Sequence, residues 1–289
     1  MLIQRILTAV VLLILLLLLS IYSSPFQFAC LTLLVLLGAG YEWTRFIGLD
    51  TPIARVFYLL SLLILALGLF LLLGIDPKSV SLDSFRVNSV LLLGVLFWML
   101  VLILLRGYPA NAGQWNDSSR IALMGILVLL PTWVGLVQLK YLNPTGLLVL
   151  AIISLVSVAD IGAFFVGRKW GKRKLAPELS PKKSWAGVWG SLGSTTLYAV
   201  ACVLITNWYL LPLSLPTSAL LVLGSIPVVM ISIAGDLFES MLKRNRGLKD
   251  SGSILPGHGG IMDRIDSLTA AIPLYVLLLA LLFQGQVLS

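Results

Sequence analysis

Apolar runs of roughly membrane-spanning length constrain this chain more than any motif does. A helix needs about 20 mostly apolar residues to cross a bilayer. Nine segments meet or approach that length: 3–21, 26–43, 54–75, 88–105, 120–139, 146–167, 185–209, 218–242 and 266–284. Only 11% of the 289 residues are charged and 59% are apolar, whereas a soluble domain carries about 25% charged residues. The expected fold class is an all-α integral membrane protein with about nine transmembrane helices. The first run has Arg5 ahead of Ile6–Leu19 but no small-residue cleavage pattern in Ser20–Ser24. It reads as a retained helix and not as a cleaved leader.

The cations sort by side. With the N-terminus and every second connection placed on one face, 17 of the 20 Lys and Arg fall there. The opposite face receives Lys78, Arg86 and Lys140. Positive charge marks the cytoplasmic side of a membrane protein, so the N-terminus and the two long basic connections are expected in the cytoplasm. The net charge of +8 is explained by this segregation and implies no nucleic-acid partner. Cys30 and Cys202 sit far apart in apolar runs and read as small core residues, with no metal site or disulfide implied.

The two halves differ in content. Residues 1–145 carry scattered charges near helix ends and read as a transmembrane scaffold, a lipid-facing wall or an oligomer contact, compatible with a homodimer. Residues 146–289 carry the polar features and read as a catalytic region. The densest part runs from Asp236 to Asp266, and it holds five of the twelve carboxylates: Asp236, Glu239, Asp250, Asp263 and Asp266. It also holds Lys243, Arg244, Arg246, Lys249, Arg264 and the single histidine, His258. At about 100° per residue, Asp236, Ser240 and Lys243 share one helical face, bordered by Glu239. Gly235 leaves room beside that face for a second helix or a bulky ligand. Gly252, Gly257, Gly259 and Gly260 permit a loop whose N–H groups converge on an anion. His258 either donates to a phosphate or braces the turn.

A charge inside a span costs at least about 2.5 kcal/mol and calls for a partner, a cavity or an ion. Asp160, in the sixth run, is such a group. Gly162 and Gly167 near it allow close helix packing. Asp160, Asp236, Asp263 and Asp266 would repel one another without a cation. Oxygen ligands with no Cys or His cluster point to Mg²⁺, with Mn²⁺ as the alternative. Asp236, Asp263 and Asp160 are the expected metal ligands. In the other basic connection, Lys182, Lys183 and Ser184 follow Pro181 at a helix start and suit a triphosphate tail or a lipid phosphate. The polar groups should line a catalytic cavity at the cytoplasmic face.

The motifs also follow an ordered pattern: Ser240-Met241-Leu242-Lys243-Arg244, Lys249-Asp250, Pro256-Gly257-His258-Gly259-Gly260, then Asp263-Arg264-Ile265-Asp266. Upstream stand Asp160-Ile161-Gly162-Ala163-Phe164, Gly167-Arg168, Gly171-Lys172 and Leu179-Ser180-Pro181-Lys182-Lys183-Ser184. Together, over about residues 155–270, these resemble the phosphatidate cytidylyltransferases (CDP-diacylglycerol synthases). The resemblance implies transfer of a cytidylyl group from CTP to phosphatidic acid, giving CDP-diacylglycerol and pyrophosphate. Membrane lipids would surround the enzyme, and a bacterial cytoplasmic membrane is the expected location. It assigns catalysis to Asp236, Lys243, Arg244, Lys249, Asp250, His258, Asp263, Arg264 and Asp266. Substrate contacts fall to Lys182, Lys183, Ser184, Ser240, Gly257, Gly259 and Gly260. Whether a monovalent ion joins Mg²⁺ is left open. The family continues Trp-Glu-Gly where this chain has Trp185-Ala186-Gly187, which removes a carboxylate at that position. CTP transfer to another lipid phosphate is the nearest rival. A cation transporter fits less well, because the outer halves of runs six, eight and nine are apolar and a pore needs polar groups through its depth.

Overall fold

A computed structural model describes residues 2–210 and 212–287. Each expected run falls on one helix: α1 (Leu2–Tyr22), α2 (Pro25–Ile47), α3 (Pro52–Leu73), α4 (Ser84–Gly107), α6 (Ser118–Leu142), α7 (Leu147–Trp170), α8 (Trp185–Ile205), α9 (Leu215–Asn245) and α10 (Met262–Val287). A short α5 (Ala112–Trp115) lies between α4 and α6. Most of these helices begin ahead of their apolar segments, where polar residues cap them. Ser24 and Gln27 form a reciprocal capping box ahead of Pro25. Thr51, Asp83, Asp117, Ser184 and Ser214 each accept a bond from the first turn of the following helix. Such caps satisfy donors that the helix leaves orphaned. Gly48 and Gly74 close α2 and α3 in the left-handed conformation, which glycine adopts without strain.

The helices fit the expected all-α membrane architecture. Among the described residues, eight helices, α2 to α4 and α6 to α10, are long and apolar enough to cross a membrane. In α1 the described apolar stretch is Ile6–Tyr22, which is shorter, so eight of the nine expected runs are matched by described helices of spanning length. One short hairpin stands among the helices. Strands β1 (Lys174–Ala176) and β2 (Ser180–Ser184) pair antiparallel between α7 and α8. Here the chain leaves the apolar layer, and Pro181, with no N–H to donate, disfavours helix and suits an extended edge strand.

Aromatic side chains tie the halves together. Phe238 of α9 packs against Trp43 of α2 and against Phe97 and Trp98 of α4. The indole N–H of Trp98 donates to Thr269 O of α10 at 3.1 Å, and Thr132 Oγ1 of α6 donates to the same carbonyl at 3.0 Å. Helices in lipid associate through packing and such hydrogen bonds, since lipid is as apolar as leucine. Small residues set the closest approaches. A Cβ at Gly162 would meet Gly190 O of α8 at 2.6 Å, and one at Gly235 would meet Asp266 O of α10 at 2.5 Å. The space beside Gly235 is therefore filled by a helix. At the end carrying the Gly-rich loop, Thr8 Oγ1 of α1 donates to Pro256 O at 3.0 Å, so the start of α1 and this loop share one end of the bundle.

Candidate active site

The polar residues form two linked groups at the loop end of α7, α9 and α10. In the first, Lys183 of β2 reaches across to α9, its Nζ 2.6 Å from Asp236 Oδ2. Asp160 of α7 lies within electrostatic reach of both. Asp266 of α10 lies within reach of Asp236, Glu239 and Lys183. Ser240 Oγ donates to Asp236 Oδ1 over a long 3.4 Å, as the shared helical face requires. The β2 strand explains why only one lysine of the pair arrives. Successive side chains on a strand point to opposite faces, so Lys183 is half-buried at the carboxylates while Lys182 is exposed.

The second group is built around Lys243. Its ammonium sits 2.5 Å from Glu239 Oε2 and 2.7 Å from Asp263 Oδ1. Asp263 Oδ2 accepts from Ser251 N at 2.9 Å, Ser251 Oγ at 2.9 Å and Gly260 N at 2.8 Å. Asp263 is thus the hinge pin between α9 and the loop that precedes α10. Glu239 is buried, and its Oε1 has no hydrogen-bond partner among the described residues.

The loop itself is a tight turn. His258 N donates to Leu255 O at 2.9 Å, with Pro256 and Gly257 between them and Gly257 at φ +75°. Proline followed by a positive-φ glycine is the signature of a type II turn. Leu255 N donates to Gly259 O and closes the turn at 2.9 Å. A Cβ at Gly259 would press on Asp263 Oδ2 at 2.7 Å. His258 is half-buried, with Nδ1 unpartnered.

One buried carboxylate beside the candidate site escapes sequence reasoning. Glu42, near the end of α2, is buried and grips the loop from the other side. Its Oε1 accepts Ile261 N at 3.0 Å, and its Oε2 accepts Met262 N at 2.9 Å and Ser251 Oγ at 3.1 Å. A Cβ at Gly252 or at Gly260 would collide with this carboxylate, so these two glycines make room for Glu42. Arg45, one turn on, donates from Nη1 to Ser251 O at 2.7 Å. Nothing in the local sequence distinguishes Glu42 from an ordinary charge at a helix end, because its partners lie 209 to 220 residues away.

The remaining expected residues sit around this centre in different roles. Ser184 is buried as the cap of α8, accepting Gly187 N at 3.2 Å. Arg244 spans from α9 to the hairpin, its Nε 3.4 Å from Leu179 O. Lys249, Asp250, Gly257 and Arg264 are exposed along the loop and the first turn of α10. Ala186 stands in the first turn of α8, where it adds no polar group.

Among the described residues, no three acidic, imidazole or thiol groups close a metal cage by themselves. The chemistry of the donors nevertheless fits a hard cation. Asp160, Asp236, Glu239, Asp263 and Asp266 offer carboxylate oxygens, while only Lys183 and Lys243 enter among them. Glu239 Oε1, without a hydrogen-bond partner among the described residues, keeps its lone pairs for such a cation. Oxygen-only donors suit Mg²⁺.

Comparison with known proteins decides the family. Residues 3–282 match the cytidylyltransferase family. The chain belongs to the cytidylyltransferases. A phosphatidate cytidylyltransferase of Pseudomonas aeruginosa is 43% identical over 245 residues, covering 85% of this chain and 84% of the relative. One from Haemophilus influenzae is 39% identical over 284 residues, covering 94% and 96%. One from Brucella abortus is 31% identical and covers 91% and 87%. The cytidylyltransferase match takes in both halves of the molecule, including α2, which carries Glu42.

Proposed function

We propose that this cytidylyltransferase transfers the cytidylyl group of CTP to phosphatidic acid, giving CDP-diacylglycerol and pyrophosphate for membrane phospholipid synthesis. One observation carries the reading: relatives of that name match most of the chain. The gathering of its motif residues at one end of the bundle supports it. We place that end at the cytoplasmic face of a bacterial membrane, from the distribution of Lys and Arg.

The reaction asks little of a base. A phosphate monoester has its second pKa near 6, so the lipid phosphate already carries a nucleophilic oxygen at neutral pH. That oxygen forms a bond to the α-phosphorus of CTP. The bond from the α-phosphorus to the bridging oxygen breaks, and pyrophosphate leaves with the electron pair. The protein supplies alignment and charge compensation. Lys183 and Lys243 meet phosphate oxygens among the carboxylates, and Lys249 and Arg264 do so from the loop and α10. Asp160, Asp236 and Asp263, with Asp266 beside them, would hold Mg²⁺. When bound, the ion would neutralise phosphate charge and orient its oxygens for in-line displacement; Mn²⁺ would take the same oxygens. The apolar helices keep acyl chains in lipid while the headgroup meets a soluble nucleotide.

The deciding experiment uses purified protein in detergent with phosphatidic acid and Mg²⁺. CTP, ATP, GTP and UTP are supplied in turn, and pyrophosphate and nucleotide–lipid product are followed. Product from CTP alone, lost on chelation, is the expected result. Equal use of all four nucleotides, or no product at all, would remove the assignment.

A further inference from the structure

A cavity of about 410 Å³ lies between α7, α8, α9 and α10, toward the end of the bundle away from the carboxylate centre. Its described wall shares no residue with the candidate active site. Along α9 the lining runs from Thr217 to Ser225, about 12 Å at the helical rise, and Ser225 stands about 16 Å short of Asp236. The hydrocarbon core of a bilayer is about 30 Å thick, so the cavity takes up most of the depth of the opposite leaflet. Thr206 lines it at its outer end, and Trp208 and Tyr209 follow, both exposed. Trp and Tyr settle at the headgroup level of a membrane, which places that end of the cavity at the interface.

The lining is mostly hydrocarbon, with Leu148 and Leu155 of α7, Val203 of α8, Leu220 of α9 and Leu279 of α10 among its residues. Three hydroxyls of the wall are already engaged. Tyr198 is bonded to Ser154 Oγ, Thr217 Oγ1 to Ser214 Oγ at 2.9 Å, and Ser225 Oγ to Val222 O at 2.7 Å. A space of this kind disfavours water and takes apolar ligands. Its shape decides among them. Spread over about 12 Å, this volume leaves a cross-section of roughly 34 Å², less than half of the roughly 80 Å² that a helix about 10 Å across occupies. A helix from a second copy is too wide, whereas a flexible hydrocarbon chain fits.

We propose that this cavity binds one acyl chain of a phospholipid from the leaflet opposite the carboxylate centre. The chain enters beside Thr206 and Thr217 and points its end toward Leu155. A lipid whose phosphate reaches Asp236 enters from the other face of the membrane, so this site is separate from the substrate's and does not depend on the reaction assigned above. The occupant supplies the dispersion contacts that α7, α8, α9 and α10 do not make with one another there.

The test follows the site and not turnover. The protein is placed in phosphatidylcholine nanodiscs that contain phosphatidylcholine with a photoreactive diazirine in one acyl chain, either beside the ester or at the chain end. Phosphatidylcholine lacks the phosphate monoester that the reaction needs. After irradiation, adducts are located by peptide mass spectrometry. They are expected on Tyr198 and Cys202, with the ester-side probe marking Thr217 and the chain-end probe marking Leu155. Gly224 lines the cavity, and a Cβ there would meet only Leu278 Cδ1, at 3.6 Å, so Gly224→Leu fills the space without displacing backbone. Gly224→Leu, and Ala151→Leu from α7, should each lower these adducts about tenfold, the effect of displacing two methylene groups of the occupant. Ile64 and Ile103, exposed on α3 and α4, should keep theirs. Absence of adducts on Tyr198 and Cys202, the reverse order of the two probes, or labelling by a phosphatidic acid probe alone overturns the proposal, as does labelling that survives in both folded variants.

Discussion

Asp263 takes four hydrogen bonds on two oxygens, from Lys243, Ser251 N, Ser251 Oγ and Gly260 N. An amide in its place can accept on one side only, and its NH₂ would face either an ammonium or backbone donors. Asp263→Asn should therefore lower kcat by about a hundredfold or more, the scale seen when a preorganised electrostatic contact is lost, while the helices stay folded. Turnover beside circular dichroism checks this, and near-normal activity would free Asp263 from the site. Glu42→Ala tests the other side of the loop. It strands the N–H groups of Ile261 and Met262, at about 1–3 kcal/mol for each left unsatisfied. A lower thermal midpoint in detergent, together with lost activity, is expected; an unchanged midpoint would show that the loop finds other acceptors. Asp50 offers the contrast. It is exposed in the turn between α2 and α3, and Asp50→Asn should leave kcat/KM within about twofold, as surface changes away from a site generally do.

At the level of elements, β2 turns a pair of adjacent lysines into two different groups. Lys183→Gln removes the ammonium from Asp236 and should cut kcat/KM by about a hundredfold, whereas Lys182→Gln should cost under about threefold. Equal losses in the two variants would mean that β2 rotates or unpairs when substrate binds. Gly257→Ala tests the turn. Alanine at φ +75° costs roughly 1 kcal/mol or more, and limited proteolysis at residues 249–260 should speed up. These elements differ in how far they were readable. The runs and the shared face of Asp236, Ser240 and Lys243 follow from local periodicity. Gly235 could be seen as a close approach, though only the structure shows α10 filling it. The hairpin was missed because strands of three and five residues are too short to show alternation between basic clusters. Glu42 was missed because one carboxylate at a helix end has no period, and its meaning lies in a loop more than 200 residues later.

The whole molecule is less divided than its charge distribution suggests. The second half holds the carboxylate centre, yet α2 closes the loop and α4 and α6 hold α10 through Thr269. A chain cut between residues 145 and 146 and expressed as two pieces should therefore be inactive as separate parts and recover turnover only when both enter one membrane. Activity in the second piece alone would show that Glu42 is dispensable. The reach of Glu42 also bears on how the protein is made. The Met262–Glu42 hydrogen bond spans 220 residues, and ribosomes add about 5–20 residues per second. Glu42 thus leaves the ribosome roughly 10–45 seconds before the backbone donors that satisfy it. During that interval the end of α2 keeps its carboxyl in water, and the loop has nothing to close upon. A chain released by a stop codon ahead of α10 would carry most of the described membrane helices and an open loop, because α10 completes a contact prepared by α2.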